Sequence, residues 1–524
     1  MQGLMMDMPL LISGLIQHAD RHHGAAEIVS KTVEGTIHRY TYREAHRRAR
    51  QLANALRNLG VKANDRVATL AWNGFRHYEI YYAVAGSGAV IHTINPRLFP
   101  DQIAYIANHA EDKVVFYDTT FSQLVDKLKS QVKAKFIPLD DSYEKLLEDD
   151  RFEWPTFDEK TAACLCYTSG TTGNPKGALY SHRSTMIHAY AAALPDTLNL
   201  SAREVVLPVV PMFHVNAWSL PYSCTMVGAK MVFPGPHLDG KSLYEQFESE
   251  GVTMSAGVPT VWLGLLAYLK QNNLRFSTLK STVIGGSACP PAMIREFQDV
   301  YGVQVLHAWG MTEMSPLGTA GTLKAKQAKL PKEEREEVQR KQGRAIFGVD
   351  LRIVDENGDE LPWDGKAFGN LEVRGPWVIK SYFKGEGGDP LHDGWFPTGD
   401  GCTIDPEGYI QITDRSKDVI KSGGEWISSI DLENIAVAHP AIAEAAVIGV
   451  KHPKWDERPI VVAVKKPGAD VSKDDLLKFY QGKIAKWWMP DDVLFVNELP
   501  HTATGKLSKL TLRQQLKDYR LDQK

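Results

Sequence analysis

The chain has 524 residues, with 60 Lys+Arg against 63 Asp+Glu and a formal net charge of −3. A charge this close to balance gives no indication of a nucleic-acid partner or an anionic membrane surface. A hydrophobic content of 43% excludes a wholly disordered chain, and the length predicts roughly three or four domains or subdomains. Five cysteines are too few for a disulfide framework and indicate a reducing compartment, the cytoplasm.

Two uncharged stretches are long enough to raise the question of a membrane span. Residues 205–229 and 251–269 contain no Asp, Glu, Lys or Arg. Pro208, Pro211 and Pro221 interrupt the first stretch, and glycine and proline interrupt the second. Because a lipid-exposed helix could not satisfy the broken backbone hydrogen bonds, we predict buried segments and no integral membrane segment.

The first third of the chain alternates predicted helices and strands. Thr41 and Glu44 form a capping-box pattern that begins a helix, and Gly60 follows its end. The next predicted elements are a strand at 67–71, a helix at 75–85, and strands at 89–94 and 114–117. This order predicts an α/β fold with a largely parallel sheet covered by helices on both faces.

The later part of the chain changes character twice. Residues 324–341 are a run of mixed charges, which predicts one exposed helix with i,i+4 ion pairs. Short strands separated by Gly-containing turns then predict a β subdomain at 350–374. Beyond Asp414, the elements of a compact unit are a helix at 430–438, strands at 443–450 and 460–465, and a helix at 476–480 capped by Ser472 and Asp475.

These changes divide the chain into two unequal parts. We predict a large N-terminal body of layered α/β subdomains plus the β subdomain over residues 1–413. Residues 414–417 are the predicted hinge. Residues 418–524 form a small, mobile α+β C-terminal domain.

The segment CLCYTSGTTGNPKGALY at 164–180 carries the clearest chemistry. Its loop, residues 168–177, holds three glycines, four hydroxyl side chains and one lysine, with no acidic residue. Backbone N–H groups, hydroxyls and a cation suit a polyphosphate. A GxxxxGK[ST] loop does not fit, because Gly177 follows Lys176. The predicted ligands are Thr168, Ser169, Gly170, Thr171, Thr172, Gly173 and Lys176.

YTSGTTGNPKG resembles the phosphate-loop signature of the adenylate-forming superfamily, which includes acyl-CoA synthetases, beetle luciferases and peptide-synthetase adenylation domains. The further stretches that resemble its motifs, in the same order, are PMFHVNAW at 211–218, GGSACP at 285–290, WGMTE at 309–313, TGD at 398–400, DRSKDVIKSGGEWIS at 414–428 and TATGK at 502–506. HTINPRL and HPKWDERP are similar to segments of bacterial fatty-acyl-CoA ligases and of ligases for 3-methylmercaptopropionate.

The resemblance implies an acyl-CoA synthetase that forms acyl-AMP from ATP and a carboxylic acid, and then acyl-CoA. It also implies Mg²⁺ with the ATP, coenzyme A as co-substrate, and a homodimer. Medium- or long-chain fatty acids are the expected acids, with 3-methylmercaptopropionate and other short or aryl acids as alternatives.

Three other functions are less well favoured by the sequence. The motifs do not distinguish a luciferase-like oxygenase from a ligase, and we expect the ligase. A peptide-synthetase module would be followed by a carrier domain, whereas about 20 residues follow TATGK. A non-catalytic nucleotide-binding protein would be expected to lack Glu313 or Lys506, and both are present.

The nucleotide site follows from the same resemblance. Trp309 offers an aromatic face for adenine, although the family usually has Tyr there, so only the stacking role is carried over. Asp400 and Arg415 are implied to bind the ribose. The other residues implied to surround the nucleotide are Gly286, Ser287, His307, Ala308, Gly310 and Thr312.

The implied catalytic groups are few. Thr312 reaches the α-phosphate, Glu313 and Thr168 bind Mg²⁺, and Lys506 neutralises the charge that develops during adenylation. The small domain is implied to rotate about Lys417 between the two steps. Lys421 and Trp426 are implied to contact nucleotide or pantetheine.

The acyl site is expected at 211–218. His214, also counted among the catalytic residues, and Trp218 are four apart, as on one helical face. With Val215 they are the predicted substrate residues. Trp262 is a further candidate for the wall of an apolar tunnel, although such residues are as typical of a plain core.

Overall fold

The computed structural model describes residues 1–168, 174–415, 418, 420–422, 425–501 and 507–521. Within these residues the strands form four sheets, three in the N-terminal body and one in the C-terminal domain. The predicted fold class is confirmed: a mixed α/β protein with a large N-terminal body and a smaller C-terminal domain.

The first sheet carries the predicted phosphate loop at one edge. Its pairs are parallel except for the last, the antiparallel pair that flanks residues 168–176. The strand predicted at 114–117 is confirmed and is fully buried, as expected where helices cover both faces of a parallel sheet. In spatial order the strands are Lys135–Pro138, Val114–Tyr117, Arg66–Leu70, Val90–Thr93, Ala162–Tyr167 and Gly177–Ser181.

The second sheet is mostly parallel in its centre and ends in antiparallel pairs at both edges. Its strand Gln304–Gly310 leads directly into the WGMTE motif. In spatial order the strands are Arg344–Ala345, Leu317–Ala320, Gln304–Gly310, Ser281–Ile284, Met254–Gly257, Val205–Pro208, Lys230–Phe233, Glu27–Lys31 and Ile37–Thr41.

The other two sheets are smaller. The predicted β subdomain is an antiparallel sheet of Asp350–Val354, Gly369–Arg374, Phe396–Ile404 and Ile410–Arg415. The C-terminal sheet contains Glu425–Ile427, Ile420–Ser422, Asp456–Lys465, Ile442–His452 and Asp492–Phe495.

Helices cover the sheets, and local capping sets several of their ends. Both halves of the predicted capping box at Thr41 and Glu44 form, as does the box at Ser472 and Asp475. The α-helices are Ile12–His23, Tyr42–Asn58, Phe75–Gly86, Pro100–Ala110, Ser122–Leu128, Asp141–Glu144, His182–Ala193, Leu220–Val227, Gly240–Glu250, Pro259–Gln271, Pro291–Arg295, Ala325–Ala328, Lys332–Gln339, Ser429–Val437, Lys473–Tyr480 and Lys509–Gln515. Shorter turns of 3₁₀ or π type are Thr119–Phe121, Glu296–Val300, Thr312–Met314, Phe383–Gly385 and Lys486–Trp488.

The single helix predicted at 324–341 is wrong. The segment forms two short helices, Ala325–Ala328 and Lys332–Gln339, separated near Pro331. Proline disfavours helical geometry in the residue before it and cannot donate the next backbone hydrogen bond. One i,i+4 ion pair forms, between Lys332 and Glu336 at 3.8 Å.

The two uncharged stretches are built into the body. They form the strands Val205–Pro208 and Met254–Gly257 and the helices Leu220–Val227 and Pro259–Gln271. Across the described ranges, no helix has both the length and the apolar composition needed to cross a bilayer. All five cysteines are free and buried.

Candidate active site

The predicted phosphate loop begins and ends on a hairpin. The N–H of Thr168 donates to the Lys176 carbonyl at 2.9 Å, and the N–H of Lys176 donates to Thr168 Oγ1 at 3.1 Å. Lys176 Nζ lies 5.0 Å from the centroid of the Tyr382 ring. The hairpin therefore brings Thr168 and Lys176 together, while the predicted ligands at 169–173 lie outside the described residues.

The Thr312–Glu313 turn lies beside this hairpin. The hydroxyl of Tyr180, on the second hairpin strand, donates to the Thr312 carbonyl. The Tyr382 hydroxyl donates to Glu313 Oε1 at 2.8 Å, and the Ile379 N–H donates to the Glu313 carbonyl at 2.9 Å. Burial and the Glu313 carboxylate raise the pKa of Tyr382, so its hydroxyl stays protonated and keeps this donor role.

Tyr382 is a residue that the sequence did not identify. It lies outside every motif and 69 positions from Glu313. Its ring nevertheless contacts Lys176 and its hydroxyl binds Glu313. It therefore connects two predicted site residues that belong to different motifs.

The donor atoms near this turn fit magnesium. Glu313 is 7% exposed and supplies a carboxylate, and Thr168 supplies a hydroxyl. Both are the hard oxygen donors that Mg²⁺ prefers, usually together with substrate phosphates. In the part of the chain that the structure describes, no group of three His, Cys, Asp or Glu could hold a metal by itself. The residues therefore fit a metal that arrives with a nucleotide.

Trp309 and Asp400 are directly connected. The indole Nε1–H of Trp309 donates to Asp400 Oδ2 at 3.0 Å. A Cβ atom at position 318 would lie 2.6 Å from the Trp309 ring, so only glycine at this position leaves room for the indole. Arg415 lies opposite Asp400 in the antiparallel ladder. Trp309, Asp400 and the backbone of Arg415 are thus neighbours.

The Gly285–Gly286 turn lies beside both the predicted acyl segment and the predicted wall of the purine site. A Cβ atom at Gly285 would lie 2.9 Å from the Ala308 carbonyl oxygen and 3.2 Å from the Trp218 ring. Gly286 has φ of +80°, which favours glycine, and Ser287 beyond it is exposed. The missing side chains therefore let the predicted acyl segment and purine wall approach each other.

His307 and Gly310 take mainly structural positions. His307 Nδ1–H donates to the Arg340 carbonyl at 3.0 Å, and Nε2 accepts the Cys289 N–H at 3.2 Å. Burial lowers the pKa of His307 to about 4, so the ring is neutral and its nitrogens are engaged. A Cβ atom at Gly310 would lie 2.2 Å from the Pro316 carbonyl oxygen. Contacts of His307 with a nucleotide would come from its backbone.

The expectation that His214 and Trp218 share one face of an ordinary helix is wrong. His214 has φ of −128°, but the five residues that follow have φ between +45° and +69°, in the left-handed region. This conformation costs roughly 1–2 kcal/mol per non-glycine residue. The residues are Val215, Asn216, Ala217, Trp218 and Ser219.

Contacts from distant elements fix the residues that lead into this left-handed segment. The Asn73 amide donates to the carbonyls of Pro208 and Val210, both at 2.9 Å, and its oxygen accepts the Met212 N–H at 2.6 Å. The Tyr81 hydroxyl donates to the Met212 carbonyl. Asn216 itself is buried against Cys164. Strain held in this way by surrounding contacts is typical of functional segments.

The tunnel role considered for Trp262 is not supported. Its side chain is fully buried and packs with Phe247 and Phe297 in a separate core cluster. Trp218 differs, because it is half-buried at the Gly285–Gly286 turn. The structure thus assigns Trp262 to the core.

The C-terminal residues are described in part. Lys421 and Trp426 are cross-strand neighbours in a short hairpin, and their side chains lie outside the described part of the structure. The Arg458 guanidinium donates to Ser422 Oγ at 3.1 Å and so anchors the same hairpin. Lys417 and Lys506 fall outside the described residues.

Comparison with known proteins identifies the family of the chain. A family model for the AMP-binding enzyme matches residues 15–383, and one for the AMP-binding enzyme C-terminal domain matches residues 431–506. The chain belongs to the AMP-binding enzyme family. Like its relatives, it is an acid–thiol ligase that joins a carboxylic acid to coenzyme A.

Three relatives illustrate the similarity. The 3-methylmercaptopropionyl-CoA ligase of Ruegeria lacuscaerulensis is 55% identical, over 99% of this chain and 99% of that protein. The medium-chain-fatty-acid–CoA ligase of Ectopseudomonas oleovorans is 52% identical, over 99% and 98%. The ATP-bound structure of MatB from Rhodopseudomonas palustris has a TM-score of 0.84 and 26% identity, covering 98% of this chain and 99% of that one.

Proposed function

We propose that this enzyme activates a medium- or long-chain fatty acid through acyl-AMP and transfers the acyl group to coenzyme A. The observation that carries the proposal is the closeness of the Trp218 indole and Ala308 to Gly285, where a Cβ atom would lie 3.2 Å from the indole and 2.9 Å from the Ala308 carbonyl oxygen. An acid carboxylate beside Gly285 would lie between the acyl segment and Trp309 and Asp400, the residues predicted to bind the nucleotide.

The first step joins the acid to the nucleotide. A carboxylate oxygen attacks the α-phosphorus of ATP, a new P–O bond forms, and the bond to pyrophosphate breaks. Negative charge develops at the α-phosphate, so positioning and electrostatic stabilisation account for catalysis. Thr312, Lys506 and the 168–177 loop would provide them. Bound Mg²⁺, held by Glu313 and Thr168, would supply charge neutralisation at the phosphates.

The second step transfers the acyl group. The thiol of coenzyme A loses its proton and attacks the acyl carbonyl, a C–S bond forms, and AMP leaves. The mixed anhydride is already activated, so no Ser-His-Asp triad is required. The hairpin of Lys421 and Trp426, anchored through Ser422 to Arg458, would face the thiol after rotation about Lys417.

A short thioether acid is the second candidate. The relative that is 55% identical is named 3-methylmercaptopropionyl-CoA ligase, whereas the medium-chain fatty-acid ligase is 52% identical. The two acids differ mainly in length, so the depth of the acyl site decides between them. A screen of linear acids from three to sixteen carbons, together with 3-methylmercaptopropionate and benzoate, read as AMP formation with coenzyme A present, tests the proposal. A maximum at eight or more carbons supports it, and a maximum at the thioether acid supports the alternative.

Trp218→Ala should change the preference for chain length. Its half-buried indole lies between the left-handed segment and the glycine turn, so its removal would open space at the acyl site. We expect the ratio of kcat/KM for long over short acids to change about tenfold, the lower end of the range for one added or removed methylene contact. Trp154→Ala, which removes another half-buried indole bonded to His46, is the matched control. Equal losses for all acids, with a lower Tm, would assign Trp218 to the core.

Trp309→Phe should weaken nucleotide binding without changing the KM for the acid. The variant keeps an aromatic face but loses the hydrogen bond to the Asp400 carboxylate, a type worth about 1.5–3 kcal/mol. We expect the KM for ATP to rise about tenfold, and discrimination against 2′-deoxy-ATP to fall. Trp377→Phe removes an indole hydrogen bond to the Leu317 carbonyl and should affect only Tm. A KM for ATP equal to that of the wild type would show that the hydrogen bond does not contribute.

A further inference from the structure

We propose that Tyr382 is a positioning residue that holds the Glu313 carboxylate and the Lys176 ammonium in one arrangement for a metal–nucleotide complex. The inference rests on the proposed function, because it takes ATP with Mg²⁺ as the ligand. Tyr382 acts through these two side chains.

The hydroxyl and the ring of Tyr382 serve different partners. The hydroxyl donates to Glu313 Oε1 at 2.8 Å, and the ring centroid lies 5.0 Å from Lys176 Nζ. The first contact is a charge-assisted hydrogen bond, and the second has the geometry of a cation–π interaction. One side chain thus orients both an anion and a cation of the candidate site.

The segment that carries Tyr382 is fixed independently of its hydroxyl. The Ile379 N–H donates to the Glu313 carbonyl at 2.9 Å, and Ser315 Oγ donates to the Trp377 carbonyl at 3.1 Å. The Tyr382 ring also packs edge-on against Phe396, with centroids 6.4 Å apart. Removal of the hydroxyl alone should therefore leave the backbone in place.

Lys176 is held against an aromatic ring. Ion pairs between Lys176 and Asp or Glu are absent from the described part of the chain. The ammonium lies over the Tyr382 ring and close to Gly387, where a Cβ atom would lie 2.7 Å from Nζ. A cation held by an aromatic face keeps its full charge for an anionic ligand, such as a nucleotide phosphate.

The arrangement predicts separate effects for the hydroxyl and the ring. A carboxylate that is already oriented by a hydrogen bond needs less reordering when a metal binds. Loss of a residue that hydrogen-bonds to a metal ligand typically lowers metal affinity 10–100-fold. Loss of the ring should instead remove the cation–π contact that orients Lys176. Phosphate binding should then weaken both with and without metal. Tyr382→Phe removes the first contact, and Tyr382→Leu removes both.

The test is calorimetric titration of the full chain with ATP, once with Mg²⁺ and once with EDTA. For Tyr382→Phe we expect the gain in affinity on adding Mg²⁺ to fall about tenfold or more, with the Kd in EDTA unchanged. For Tyr382→Leu the Kd in EDTA should also rise. Tyr42→Phe, which removes a buried hydroxyl bonded to the Ala229 carbonyl at 2.6 Å, should retain the wild-type gain.

A Tyr382→Phe variant with the wild-type gain from Mg²⁺ would overturn the inference. So would a wild-type protein whose ATP affinity does not depend on Mg²⁺, or a Tyr42→Phe variant that loses the gain equally. The proposed function fails by a different result, the absence of acid-dependent pyrophosphate formation, which these titrations do not measure.

Discussion

Glu313→Gln should lower the rate of acyl-AMP formation by about 10²-fold or more and weaken its dependence on Mg²⁺. Glutamine keeps the shape of the side chain and an oxygen that accepts the Tyr382 hydroxyl, so the turn should persist. The change removes one negative charge from a nearly buried oxygen-donor site. The measurement is acid-dependent exchange of pyrophosphate into ATP over a range of Mg²⁺ concentrations.

A matched control separates the loss of charge at this site from the loss of a buried carboxylate. Glu372→Gln removes another buried carboxylate, paired with Arg352 at 2.6 Å in the β subdomain. It should lower Tm and leave the Mg²⁺ titration unchanged. If Glu313→Gln also left the Mg²⁺ titration unchanged, Glu313 would not be a metal ligand.

Lys506→Ala should separate the two half-reactions. A cation matters most while charge accumulates on the α-phosphate, and less when a thiol attacks an acyl carbonyl. We expect acyl-AMP formation to slow by roughly 10²-fold or more, equivalent to one preorganised electrostatic contact of about 3 kcal/mol. With synthetic acyl-AMP and coenzyme A, the variant should form thioester at nearly the wild-type rate.

The control for this variant is a lysine of the same domain outside the motifs. Lys465→Ala removes a cation that pairs with Asp470 at 3.5 Å, and both rates should stay unchanged. If Lys506→Ala slowed both half-reactions equally, a single fixed active site would describe the enzyme better than two domain positions.

Local signals explain where sequence and structure agree. The capping box at Thr41 and Glu44 depends on residues three apart, and the strand Val114–Tyr117 on a short apolar run. The phosphate loop was recognisable because its chemistry is contiguous. Predictions of this kind succeed when the determining contacts lie within one turn or one strand.

Two features that the sequence does not reveal depend on contacts distant in sequence. The left-handed segment after His214 follows residues that Asn73 fixes from 139 positions before Met212, and its Asn216 bonds to Cys164, whereas local spacing indicates an ordinary helical face. Tyr382 is not identifiable from the sequence because its role depends on Glu313 and Lys176, which come from other motifs. The sequence does not determine the identity of the substrate acid for the same reason, since the walls of the acyl site come from separate elements.

Exchange of labelled pyrophosphate into ATP, with carboxylic acid present and coenzyme A absent, tests the central claim most directly. We expect exchange that requires both the acid and Mg²⁺, followed by thioester and AMP only when coenzyme A is added. Exchange independent of the acid, or none until coenzyme A is added, would contradict a mechanism that proceeds through acyl-AMP.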